Sequence, residues 1–135
     1  MAAMQTPPNR TPFILAGIAA ILASLYWAGF TLLVLLSIST GKVSPTQVVL
    51  PVVLIALYAW RGFQLFQGDP AAARRILWLH GIGGIMALVG AFTQPGIMVV
   101  LHGIKVVIHV FGVATAFWAM KTSDAARLQA VARYP

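Results

Sequence analysis

The sequence predicts an all-α polytopic membrane protein, a four-helix transmembrane bundle of two hairpins with both termini cytoplasmic. Three observations carry this. Of 135 residues, 60% are hydrophobic and 8% charged, where a soluble domain needs roughly 25% charged residues for its surface. Four apolar stretches are each long enough to span, since ~20 residues cross a ~30 Å hydrocarbon core. The basic residues gather at the ends of those stretches and mostly on one side.

The first stretch runs from about residue 12 to 39, the second from 45 to 66, the third from 71 to 92 and the fourth from 96 to 120. They form a single domain over 1–135, with a short basic tail at 121–135. The connections STGKVS, QGDP and TQP are turn-forming and too short to hold another domain. Short connections place neighbouring helices antiparallel. Ser44-Pro45 reads as an N-cap followed by proline at the first helical position, and Pro51 is expected to bend the second helix. A cleaved leader is the alternative for the start, but the apolar run after MAAMQTPPNR is far longer than an h-region of about 7–15 residues. The tail could add a fresh helical turn capped by Ser123 or Asp124, or end as a frayed basic terminus.

Arg10, Arg61, Arg74, Arg75, Lys121, Arg127 and Arg133 lie at or near one side, and Lys42 at the other. The positive-inside rule puts the first side in the cytoplasm of a bacterial-type inner membrane. Trp60, Trp78 and Trp118 fall near that side, as an interfacial belt does. The +7 balance is thereby explained by orientation and bound anionic lipid headgroups, not by nucleic acid. There is no cysteine, so disulfides and thiolate chemistry are excluded.

The segment LHGIKVVIH (101–109) carries the chemistry. At about 100° per residue, His102, Lys105 and His109 share one stripe, extended by Gly112 and Ala116. Ionisable groups at this depth cost several kcal/mol unless they face the bundle interior or water. On the third helix, His80, Gly83, Gly84, Ala87 and Ala91 share a side, and small residues permit close backbone approach. Folding the chain at TQP brings His80 level with the region of His109. The QGDP turn brings Tyr58 near His80 and Arg61 near Trp78. A polar layer of Tyr58, Arg61, His80 and His109 is expected, with Lys105 and His102 deeper. On the first helix Ala16, Ala20, Ser24 and Ala28 form another close-packing stripe.

Three functions follow. His80 and His109 could ligate haem b axially, with glycines making room for a porphyrin and Arg61 or Arg74 meeting its propionates. That helix pair is similar in outline to the membrane cytochrome b anchors of respiratory dehydrogenases, a likeness of pattern without a shared motif. The histidines and Lys105 could instead line a small-molecule, anion or proton path, although no intramembrane acid accompanies them. They could, lastly, fix helix pairing in an accessory or interaction subunit of a larger membrane complex or a homo-oligomer, with Lys105 meeting an acid on a partner. A nucleophilic enzyme is not expected, because no acid lies near any Ser–His pair, and His80, His102 and His109 lack a carboxylate to complete a metal site. The subunit reading is preferred, because so little of the chain lies outside the membrane.

The charge asymmetry has a direct test. A reporter active only in the periplasm, fused after Pro135, is expected to stay silent; a strong signal would reverse the orientation.

Overall fold

A computed structural model describes residues 9–133. Residues 1–8, which open the leader alternative, and 134–135 of the tail lie outside the described residues. The described chain is helical: α1 spans Thr11–Ser39, a 3-10 turn Pro45–Val48, α2 Val49–Phe66, α3 Pro70–Thr93 and α4 Ile97–Arg133. α1, α3, α4 and the continuous helical segment Pro45–Phe66, which joins the 3-10 turn to α2, are long and apolar enough to cross a membrane. Each connection contains a glycine at positive φ, Gly41, Gly68 and Gly96, which L-residues with a Cβ rarely adopt.

Local chemistry sets the helix starts. Ser44 caps the 3-10 turn by accepting from the Thr46 amide, with Pro45 next. Asp69 caps α3 through Oδ1, which accepts from the Ala71 amide at 2.8 Å, and Pro70 follows, where no amide hydrogen is needed. Pro51 does not interrupt a long helix. The α-helix begins only at Val49, so Pro51 sits in its first turn, where its missing N–H leaves no bond unmade.

The tail also departs from the sequence expectation. α4 continues without a break for 37 residues to Arg133, so Ser123 and Asp124 are helix interior and start nothing new. Extending an existing helix escapes the cost of nucleation, and Ala125, Ala126, Arg127, Leu128, Gln129 and Ala130 are mostly good helix formers. At about 1.5 Å per residue, α4 is roughly 55 Å long, so its end reaches beyond any ~30 Å apolar layer that holds its start.

α3 pairs most closely with α4, α1 with α2, and α1 with α4, while α2 and α3 touch far less. The core is built of small residues: Ala16, Ala20, Ala23, Ala72, Ala73, Ala116 and Ala119 surround Tyr58, Leu65 and Ile76. Ala28, the last of the α1 stripe, is only half-buried. Large side chains such as Leu25, Leu32, Ile85, Phe92 and Val107 point outward. This inversion suits a lipid solvent, where burying leucine gains little and close backbone contact gains dispersion.

The α1–α2 seam is tight. A Cβ on Gly17 would meet the Phe66 ring at 2.9–3.1 Å, and one on Gly62 would meet Ile21, Ala20 and the Gly17 carbonyl at 3.2–3.3 Å. Ser24 Oγ crosses the seam to donate to the Ile55 carbonyl at 3.2 Å. The hydroxyls of Thr31, Ser37, Thr93, Thr115 and Thr122 donate to the carbonyl four residues back, so each is satisfied within its own helix.

Gly62→Leu is expected to lower stability in detergent by about 1–3 kcal/mol through overpacking. Ile104→Ala, which trims a side chain 49% exposed, should change it little. Equal melting temperatures for the two variants would refute this assignment of faces.

Candidate functional site

The polar residues meet where α2, α3 and α4 converge. His80 on α3 and His109 on α4 are both buried, at 0% and 1% exposure. Their Nδ1 atoms stand 2.9 Å apart, a hydrogen-bond distance. Tyr58 on α2 completes the layer, its ring 5.1 Å from that of His80 and 6.0 Å from that of His109. The Tyr58 hydroxyl donates to the Leu79 carbonyl at 3.0 Å. That bond ties α2 to α3 across a boundary with few other contacts. Arg61 is not joined to this layer by a hydrogen bond; its Nη1 donates at 2.6 Å to Oε1 of Gln64 on its own helix.

Glycine makes the layer possible. A Cβ on Gly112 would overlap the His80 ring, one on Gly83 the His109 ring, and one on Gly90 the His102 ring. Each imidazole thus lies flush against the backbone of the facing helix. Gly84 is looser, with 3.4 Å to the His109 Cβ. His102 is half-buried, further along the seam, with Nε2 3.3 Å from Gln94 Oε1.

Two ring nitrogens, His80 Nε2 and His102 Nδ1, are sealed from the surface with no hydrogen-bond partner. This fixes the tautomers that cost least. If His80 donates through Nδ1–H to His109 Nδ1, the sealed Nε2 holds only a lone pair; the reverse would bury an unbonded N–H. By the same reasoning His102 donates through Nε2–H to Gln94 and leaves Nδ1 bare.

Lys105 is 8% exposed. Its Nζ lies over the Trp27 ring of α1, 4.2 Å from the centroid, and it has no hydrogen-bond acceptor among the described residues. A lysine at mid-span costs about 2.5–3.5 kcal/mol on insertion scales. A desolvated cation–π contact returns on the order of 2 kcal/mol. Trp27 therefore offsets much of the cost, and not all of it.

Sequence reasoning missed Trp27, Gly90 and Gln94. Two signals were present. Trp27 is the one tryptophan far from any segment end. Seven residues separate Gly83 from Gly90, as seven separate His102 from His109. That equal spacing lets both glycine–histidine contacts form along one seam.

The geometry lends the haem expectation no support. The two Nδ1 atoms are turned toward each other at hydrogen-bond distance. The gaps left by Gly83 and Gly112 are filled by the imidazoles themselves. Among the described residues, no three His, Asp or Glu side chains are grouped to hold a metal ion. Arg74 lies instead on a cleft of about 400 Å³ where α3 begins beside the extended end of α4, together with Asp69, Asp124 and Arg127.

No family model, no curated protein and no solved structure matches this chain.

The glycine contacts predict a coupled pair. Gly112→Ala alone is expected to destabilise the bundle by about 1–3 kcal/mol, because the methyl drives His80 from its seat. In a His80→Ala background the same change should cost clearly less, giving a coupling of about 0.5–3 kcal/mol. Strictly additive losses in thermal melts would show that the ring and the glycine do not meet.

Proposed function

We propose that this chain is an accessory or interaction subunit of a larger membrane assembly, with four antiparallel spans and both termini on the cytoplasmic side of a bacterial-type inner membrane. The carrying observation is that the buried polar groups serve helix pairing. His80 and His109 bond each other, Tyr58 bonds a backbone carbonyl, and the imidazoles fill the gaps at Gly83, Gly90 and Gly112. A layer packed in this way holds helices in register, a role polar side chains perform across membrane interfaces.

The paired contacts Gly83–His109 and Gly90–His102 support the antiparallel hairpin, since advancing on α3 means retreating on α4. Sidedness rests on the basic residues, and Arg74, Arg75, Lys121 and Arg127 are all exposed as headgroup-facing side chains should be. The connections are short, so recognition falls to the lipid-facing helix surfaces and to the part of α4 beyond the membrane. The same filled gaps weigh against an anion path along the histidines, because a moving anion would need the space the rings occupy.

The test is the mass of the particle. Gently solubilised from its native membranes, the chain is expected in a particle far heavier than the 14.4 kDa protomer with its detergent, and heavier than the same chain produced alone. Identical masses from both sources would sink the subunit reading and leave a monomer or homo-oligomer.

A further inference from the structure

Resting on the subunit reading, we propose that Lys105 is the docking point for a transmembrane helix of a different protein that carries a carboxylate at matching depth. Among the described residues Lys105 is the charged side chain most deeply placed in the bundle, nine-tenths buried and without a hydrogen-bond acceptor. Its ammonium is not sealed off, unlike His80 Nε2 and His102 Nδ1, so another chain can reach it. Trp27 holds one face of the cation and leaves its N–H donors unused, since a ring face accepts charge without satisfying three directed donors.

The chain has no intramembrane acid to supply. Its two acids are Asp69 and Asp124. Asp69 caps the start of α3, about 16 Å along the helix from His80, which lies level with His109, and Lys105 is a further turn away. Asp124 lies 19 residues beyond Lys105 on the same helix, about 28 Å away. A second copy therefore carries no carboxylate at the depth of Lys105, which makes the partner a different protein. Charge complementarity in an apolar medium then selects aspartate or glutamate, because an unpaired ammonium there gains most from a carboxylate. The outward faces of α1 and α4 beside this point are lined with large aliphatic side chains, Leu25, Leu32, Ile104 and Val100 among them, suited to a neighbouring apolar helix.

A synthetic leucine–alanine transmembrane peptide with one mid-span glutamate serves as probe, and its glutamine counterpart as control. Both are measured by energy transfer with the full chain in phosphatidylcholine vesicles. The wild type is expected to bind the glutamate peptide at least tenfold more tightly than the glutamine peptide. Lys105→Met should abolish that preference while melting no lower than wild type in detergent, and Lys105→Arg should keep it. Lys105→Glu should transfer the preference to a peptide with mid-span lysine. Equal binding of the two peptides by wild type, or a preference that survives Lys105→Met, overturns the proposal. Should Lys105→Met fail to fold, the Lys105→Arg and Lys105→Glu pair still decides it. A heavy native particle with no peptide preference defeats this inference and leaves the subunit reading intact; a light native particle with the preference present does the reverse.

Discussion

Flush packing of imidazole rings on glycine backbone is the constraint around which the rest of this bundle is arranged. In lipid, helices gain little by hiding leucine from their solvent, so association depends on close van der Waals contact and on polar groups with nowhere else to bond. The α3–α4 seam combines both. His80, His109 and His102 reach the opposite helix only because Gly112, Gly83 and Gly90 lack a Cβ. Once the rings are seated, the His80–His109 bond follows from proximity, and Tyr58 closes the layer from α2 by bonding the Leu79 carbonyl.

The two halves of the bundle solve the same problem with different parts. Between α1 and α2 the contact is small residue against aromatic and aliphatic side chain, Gly17 under Phe66 and Gly62 under Ile21, with one hydrogen bond from Ser24. Between α3 and α4 the contact is polar ring against glycine. The polar seam is the more specific one, because a shift by one turn would strand each imidazole against a side chain and leave its nitrogens unbonded in lipid. Lys105 belongs to neither seam. It lies where α4 meets α1, stacked on Trp27, and it is the one basic group in the middle of the bundle whose directed donors have no acceptor among the described residues.

Much of the site was legible in advance. The one-sided stripe of His102, Lys105 and His109, the facing glycines and the approach of Tyr58 to His80 all follow from helical periodicity and short turns. Arg61 shows the limit of that reasoning: turn geometry brings it to the right level, and a nearer acceptor on its own helix, Gln64, takes its guanidinium. The space beside the histidines shows a related limit. Glycines beside histidines signal room, but the sequence does not say whether a cofactor or the imidazole itself fills it. Trp27 escaped notice because tryptophan deep in an apolar run reads as lipid-facing bulk until a cation is placed against it.

Composition, periodicity and turn chemistry by themselves determined that this chain makes four helices able to span a membrane, and which face of α4 turns inward. Those properties are local: they depend on residues within a turn or two and on the medium the side chains must meet. Only the structure decided that the histidines bond each other, that Lys105 rests on Trp27, and that α4 runs unbroken to Arg133. Each depends on distances between segments tens of residues apart, or on a helix already formed upstream. Differences of an ångström, the width a Cβ would occupy, separate a hydrogen-bonded histidine pair from a slot for a ligand. Helical spacing in a sequence does not resolve that width.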